Sequence, residues 1–149
     1  MSVVRISQND ALMIEVLRKN GISDEALLAA LKNGDVSSFV EIEKGNFDYT
    51  RLADLARERW DDVVQAVTDG YKITFNTRNG LKYLLNVKFG VVAETDFAVE
   101  EEAYHGLTLT REQLEWLRAS LAGNWRVVDL DEEADGRQAI RIELYRGAQ

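Results

Sequence analysis

Between Gln8 and Lys19 the apolar residues Leu12, Met13, Val16 and Leu17 fall at helical spacing, which predicts a first helix. Ser7 is placed to cap its start, and Gly21 sits where a left-handed stop is wanted. A second helix follows, capped by Ser23, with Asp24 and Glu25 at its positive end. Leu27, Leu28 and Leu31 form its stripe, and Asn33-Gly34 ends it. Asp35 opens a shorter third helix, with Val36, Phe39 and Val40 inward and Gly45 after it. The most regular period comes next. Leu52, Leu55, Ala56, Trp60, Val63, Val64 and Val67 keep one face at a 3.6-residue repeat. They predict one long helix, begun by Asn46 or Asp48 and ended by Gly70.

At Tyr71 the period changes. Tyr71, Ile73 and Phe75 alternate with Lys72, Thr74 and Asn76, the pattern of a half-buried strand. The following residues read two ways. Asn79-Gly80 is a hairpin turn signal, and Leu81, Tyr83, Leu85, Val87 and Phe89 continue the alternation. Leu81, Leu84, Leu85 and Phe89 also make a helical stripe, with Thr77 as cap and Gly90 as stop. Leu84 breaks the strand pattern and fits the helix, so the helix is preferred.

Beyond Gly90, Asp96 to Glu100 and Leu107 to Leu109 read as two short strands around Tyr104-His105-Gly106. Thr110-Arg111-Glu112-Gln113 is a capping box. It opens a helix with Leu114, Leu117 and Leu121 inward and Trp116 at the edge, ending at Gly123. Trp125 to Leu130 and Gln138 to Tyr145 form a closing hairpin, with Ile140, Ile142 and Leu144 toward the core.

These elements predict an α+β fold: N-terminal helices, three short and one long, then a small antiparallel sheet with one or two packed helices. The expected division is a small helical unit over 1–45 and an α+β domain over 46–149, with one continuous domain 1–149 as the alternative. At 149 residues the chain can bury a core without staples. Its 46% apolar and 30% charged residues leave no case for disorder.

Composition removes several chemistries. The chain has no cysteine, so disulfides, thiolate catalysis, cysteine-ligated zinc and iron–sulfur clusters are excluded. It has no glycine-rich phosphate loop, dinucleotide fingerprint or zinc signature, and no cofactor is expected. MSVVRISQND lacks the apolar run of a signal peptide, and no stretch is apolar enough to span a membrane. A cytoplasmic protein is expected.

The net charge of −8 is unevenly spread. Residues 1–70 carry eight basic and thirteen acidic side chains, residues 91–149 six and thirteen, and residues 71–90 four and none. Lys72, Arg78, Lys82 and Lys88 thus form a basic island in an acidic chain. Read as a helix, the island offers the backbone N–H groups near Arg78, Asn79 and Gly80 as an anion-binding start. Read as a hairpin, it puts Lys72, Lys82 and Lys88 with Asn76 and Asn86 on one outward face. Either reading suits an acidic protein segment or an anionic small molecule. The competing explanation is that these cations pair with the protein's own surplus carboxylates. Nucleic acid is disfavoured by the acidic total, and Tyr83 is the one plausible stacking aromatic in the island.

Other candidates carry less. The helices around Asn20-Gly21-Ile22 resemble a helix-turn-helix in layout, but Asp24 and Glu25 would face phosphates, so a packing or docking unit is preferred. Asp61-Asp62 point about 100° apart on a helix and read as a solvated face. Any Ser-His-Asp apparatus must use His105, the only histidine, which reads as a surface residue in a turn. Glu100-Glu101-Glu102 reads as a solvated turn. Asp131, Glu133, Asp135 and Gly136 match the first half of a calcium loop, but strands flank them and the twelfth position is Ile142. An acidic hairpin tip is preferred, and no metal is expected. The leading expectation is a non-enzymatic interaction or regulatory module, with no catalytic residue assigned. A carboxylate-based enzyme and nucleic-acid binding through the island are the alternatives.

Overall fold

The structure, a computed structural model, describes residues 3–42 and 47–145. The chain forms two compact units, Met1–Tyr71 and Lys72–Gln149. The fold is α+β, with six helices and a small antiparallel four-stranded sheet among the described residues.

The first unit is helical. A two-residue strand β1 (Arg5–Ile6) leads into α1 (Gln8–Lys19) and α2 (Asp24–Asn33), then α3 (Thr50–Glu58) and α4 (Trp60–Asp69). Ser7 and Ser23 cap α1 and α2 as expected, accepting from the Asp10 and Ala26 N–H groups. Gly34 ends α2 in the left-handed region at φ 72°. Helix α1 is buried without interruption from Ala11 to Leu17. A helix covered all round is a core helix, not a surface one. It carries Glu15, which is only 3% exposed. The Tyr71 hydroxyl donates to Glu15 at 2.7 Å, and Arg18 donates to Glu15, to Asp24 and to the Val67 carbonyl. A buried carboxylate is tolerable only with such partners.

Two expectations fail in this unit. Where the third short helix was expected, the described residues hold a 3-10 turn over Ser37–Phe39. Asp35 accepts from both the N–H and the hydroxyl of Ser37, which closes a turn on its own side chain and competes with helix. Val36 and Phe39 are buried as expected, while Val40 is exposed. Gly45, the expected stop, lies outside the described residues, as does Asn46. The long helix is two helices, broken at Arg59, whose φ and ψ are −137° and 55°. No proline or glycine marks the break. Asp61 and Asp62 lie in the first turn of α4, where carboxylates favour a helix start, and Arg59 donates to Asp62 at 2.8 Å. Both acids remain accessible to solvent there, as expected. Asp48 accepts from the Thr50 N–H and opens α3.

The second unit holds β2 (Lys72–Ile73), α5 (Arg78–Phe89), β3 (Ala98–Val99), β4 (Ala103–Leu109), α6 (Arg111–Ser120), β5 (Trp125–Glu132) and β6 (Gln138–Leu144). The sheet order is β3-β4-β6-β5, antiparallel throughout. Tyr104 and Val127 both register with Ile142, and Leu107 with Ile140. Leu81 and Leu85 of α5 and Leu117 of α6 join these strands in one core with Phe97, Tyr104, Trp125 and Ile140. Thr110 and Gln113 complete the expected capping box of α6. The closing hairpin is present, with Ile140 and Ile142 fully buried and Leu144 partly so. One strand boundary differs from expectation. Glu100–Glu102 make the turn between β3 and β4, as expected, but Tyr104-His105-Gly106 lie within β4 and not in a turn. Gly106 adopts φ 85° at a register shift between Tyr104 and Leu107, so its glycine marks a bulge and not a turn.

Candidate functional site

The basic island is helical for most of its length. Leu81, Leu84, Leu85 and Val87 are buried, Thr77 caps the helix and Gly90 ends it at φ 75°. The start of α5 is fixed from both sides. The Tyr104 hydroxyl donates to the Arg78 carbonyl at 2.7 Å, and Tyr104 stacks on Trp125 with ring centres 5.4 Å apart. Burial pushes the Tyr104 phenol up to about 12, partly offset by the Arg78 charge.

The residues just before α5 are pinned more heavily. Asn76 is 1% exposed. Its side-chain oxygen accepts from the Ala122 N–H at 2.9 Å. Its own N–H donates to the Asn124 side-chain oxygen at 3.1 Å. Its carbonyl accepts from Asn124 Nδ2 and from Trp125 Nε1, at 2.8 and 2.9 Å. A buried asparagine held this way fixes the chain direction into the helix.

That network reverses the side-chain alternation expected here. Tyr71 and Ile73 are buried, but Asn76 takes the next inward place and Phe75 is 59% exposed. Phe75 is therefore a surface aromatic beside the island, which the strand pattern had grouped with the core. Tyr83, the aromatic singled out from sequence, is half-buried on α5.

The four cations separate into two kinds. Lys72 Nζ donates to the Leu121 carbonyl at 3.0 Å, and Lys88 Nζ sits 4.8 Å from the centre of the Trp116 ring. Both amines are occupied within the second unit. Arg78 and Lys82 lie four residues apart, one turn along the same face of α5. Neither has a carboxylate partner among the described residues. By contrast, Arg18, Arg57, Arg59, Arg118, Arg126, Arg137 and Arg141 all pair with acids. Of the three N–H groups expected to receive an anion, that of Gly80 is taken by the Thr77 hydroxyl at 3.1 Å. Those of Arg78 and Asn79 remain at the open end of the helix.

Other concave surfaces fit chemistry less well. In the first unit a groove of about 340 Å³ is lined by Leu31, Ala53, Ala56, Arg57 and Trp60. In the second, Glu100, Glu101, Glu102, Arg141 and Glu143 line an open cleft of about 360 Å³. Its most covered acid, Glu143, has a side chain 16% exposed and is tied to Arg126 and Arg141. Glu100 meets His105 Nε2 at 3.1 Å. At the β5–β6 tip Asp135 is bonded to Arg137, which holds its carboxyl below the usual range. Among the described residues no three metal-ligating side chains are grouped, and no helix is long and apolar enough to cross a membrane.

No family model, curated protein or solved structure matches this chain.

Proposed function

We propose that this protein is a non-enzymatic interaction module that receives an acidic segment or anionic ligand at the start of α5. The observation that supports this reading most is the state of Arg78 and Lys82. They share a helix face without a carboxylate partner among the described residues, in a chain whose net charge is −8. An acidic chain that leaves two adjacent cations unneutralised has a local positive field, and at physiological salt that field acts over roughly 8 Å. The N–H groups of Arg78 and Asn79 add donors at the same end of the helix. Lys72 and Lys88 contribute charge nearby but are engaged by Leu121 and Trp116.

The test is fluorescence anisotropy with a labelled peptide rich in Asp and Glu. Arg78→Glu with Lys82→Glu should weaken binding by at least about tenfold, and Lys88→Gln should change it far less. Affinity should also fall as salt rises. Affinity unchanged by the double charge reversal would reject the reading.

A further inference from the structure

We infer that the occupant of this surface is an extended peptide pairing a bulky apolar side chain with carboxylates, seated on Phe75 as well as on Arg78 and Lys82. The inference rests on the reading above and adds the apolar half of the contact. Phe75 is the most exposed large hydrophobic side chain in the chain's described residues, at 59%. Its backbone is not a loose loop. The next residue, Asn76, is fixed by hydrogen bonds to Ala122, Asn124 and Trp125. The backbone that carries the aromatic is thus already ordered before a partner arrives, which lowers the ordering cost of binding.

Exposed single hydrophobics are common and need no explanation alone. This one stands three residues before Arg78, and Arg78 stands one helical turn before Lys82. An apolar side chain close in sequence to two cations without carboxylate partners suits a ligand with both properties, and charge complementarity excludes a basic one. Three residues of extended chain reach about 10 Å, so the partner's apolar residue lies within about three positions of its acids. Single-stranded nucleic acid would also combine stacking with anionic charge. It is disfavoured because the surface offers one exposed aromatic where successive bases need several, and because the whole chain is acidic.

The test compares three labelled probes on the full chain. One is a short acidic peptide with a single Leu or Phe, the second is the same peptide with Ser in that place, and the third is oligo-dT. The apolar peptide should bind roughly tenfold tighter than its Ser counterpart. Phe75→Ser should erase that preference without altering affinity for the Ser peptide, and Phe75→Leu should restore it. Arg78→Glu with Lys82→Glu should weaken both peptides alike. Unchanged unfolding midpoints confirm that the variants remain folded. Equal binding of the two peptides, or a preference that survives Phe75→Ser, overturns this inference while leaving the anionic reading intact. Binding of neither peptide overturns both. Tighter binding of oligo-dT than of either peptide overturns the choice of occupant.

Discussion

Asn76 shows how one side chain sets a local surface. Its oxygen satisfies the Ala122 N–H, and its backbone engages Asn124 and Trp125. Asn76→Ala leaves that buried N–H without a partner, which costs about 1–3 kcal/mol. Urea unfolding followed by tryptophan fluorescence should show the loss, and an unchanged midpoint would contradict the network. Tyr71 and Tyr104 make a second prediction at this scale. Burial raises the Tyr71 phenol well above its ordinary value, and Glu15 pushes it the same way. Tyr104 rises to about 12. Each holds its proton longer folded than unfolded, where a tyrosine titrates near 10. Their contribution is therefore complete below about pH 10 and is lost as pH climbs through the folded values. Unfolding free energy should fall as pH rises from about 10 through about 12, and Tyr71→Phe should shrink that fall while costing stability at neutral pH. A flat alkaline profile would be inconsistent with both burials.

At the scale of elements, the caps are the simplest to test. Thr110→Ala removes one half of the α6 capping box and should cost about 1 kcal/mol in thermal or urea unfolding. The same elements show what was legible. Leu84 alone separated helix from hairpin over 78–89, because a side chain on the wrong side of a strand has a definite cost. Thr110-x-x-Gln113 and the alternation of Ile140 and Ile142 are equally local signals, and both elements formed. The break at Arg59 was not legible. Leu52, Ala56, Val63 and Val67 stay on one face across it, and periodicity does not register backbone geometry at a single residue. The Glu100–Glu102 turn was legible, but Tyr104-His105-Gly106 read as a turn although they lie within β4, because Gly106 imitates a turn signal while serving a bulge. Phe75 was missed for a longer-range reason. Asn76 displaces it from the core through partners more than 45 residues along the chain, beyond any local pattern.

For the whole molecule the governing fact is charge. Most arginines are paired with acids, as expected in a chain at −8; among the described residues Arg78 and Lys82 are not, nor are the dispersed Arg5, Lys19 and Lys32. The proposed surface accordingly rests on two of the four cations of the island, an exposed phenylalanine and one helix start. Lys72 and Lys88 are held by a carbonyl and an indole, which sequence spacing could not reveal. On the proposed reading, binding at Arg78 and Lys82 should be sensitive to ionic strength, a property that binding in an apolar groove such as that around Trp60 would lack. The most direct measurement is an NMR titration of the isotope-labelled protein with the acidic, apolar-bearing peptide, following every backbone amide. The account predicts the largest shifts at Phe75, Arg78 and Asn79, with a smaller one at Gly80, whose N–H already donates to Thr77. Shifts centred on Leu31, Ala56 and Trp60, or on the Glu100–Glu102 turn, would contradict it.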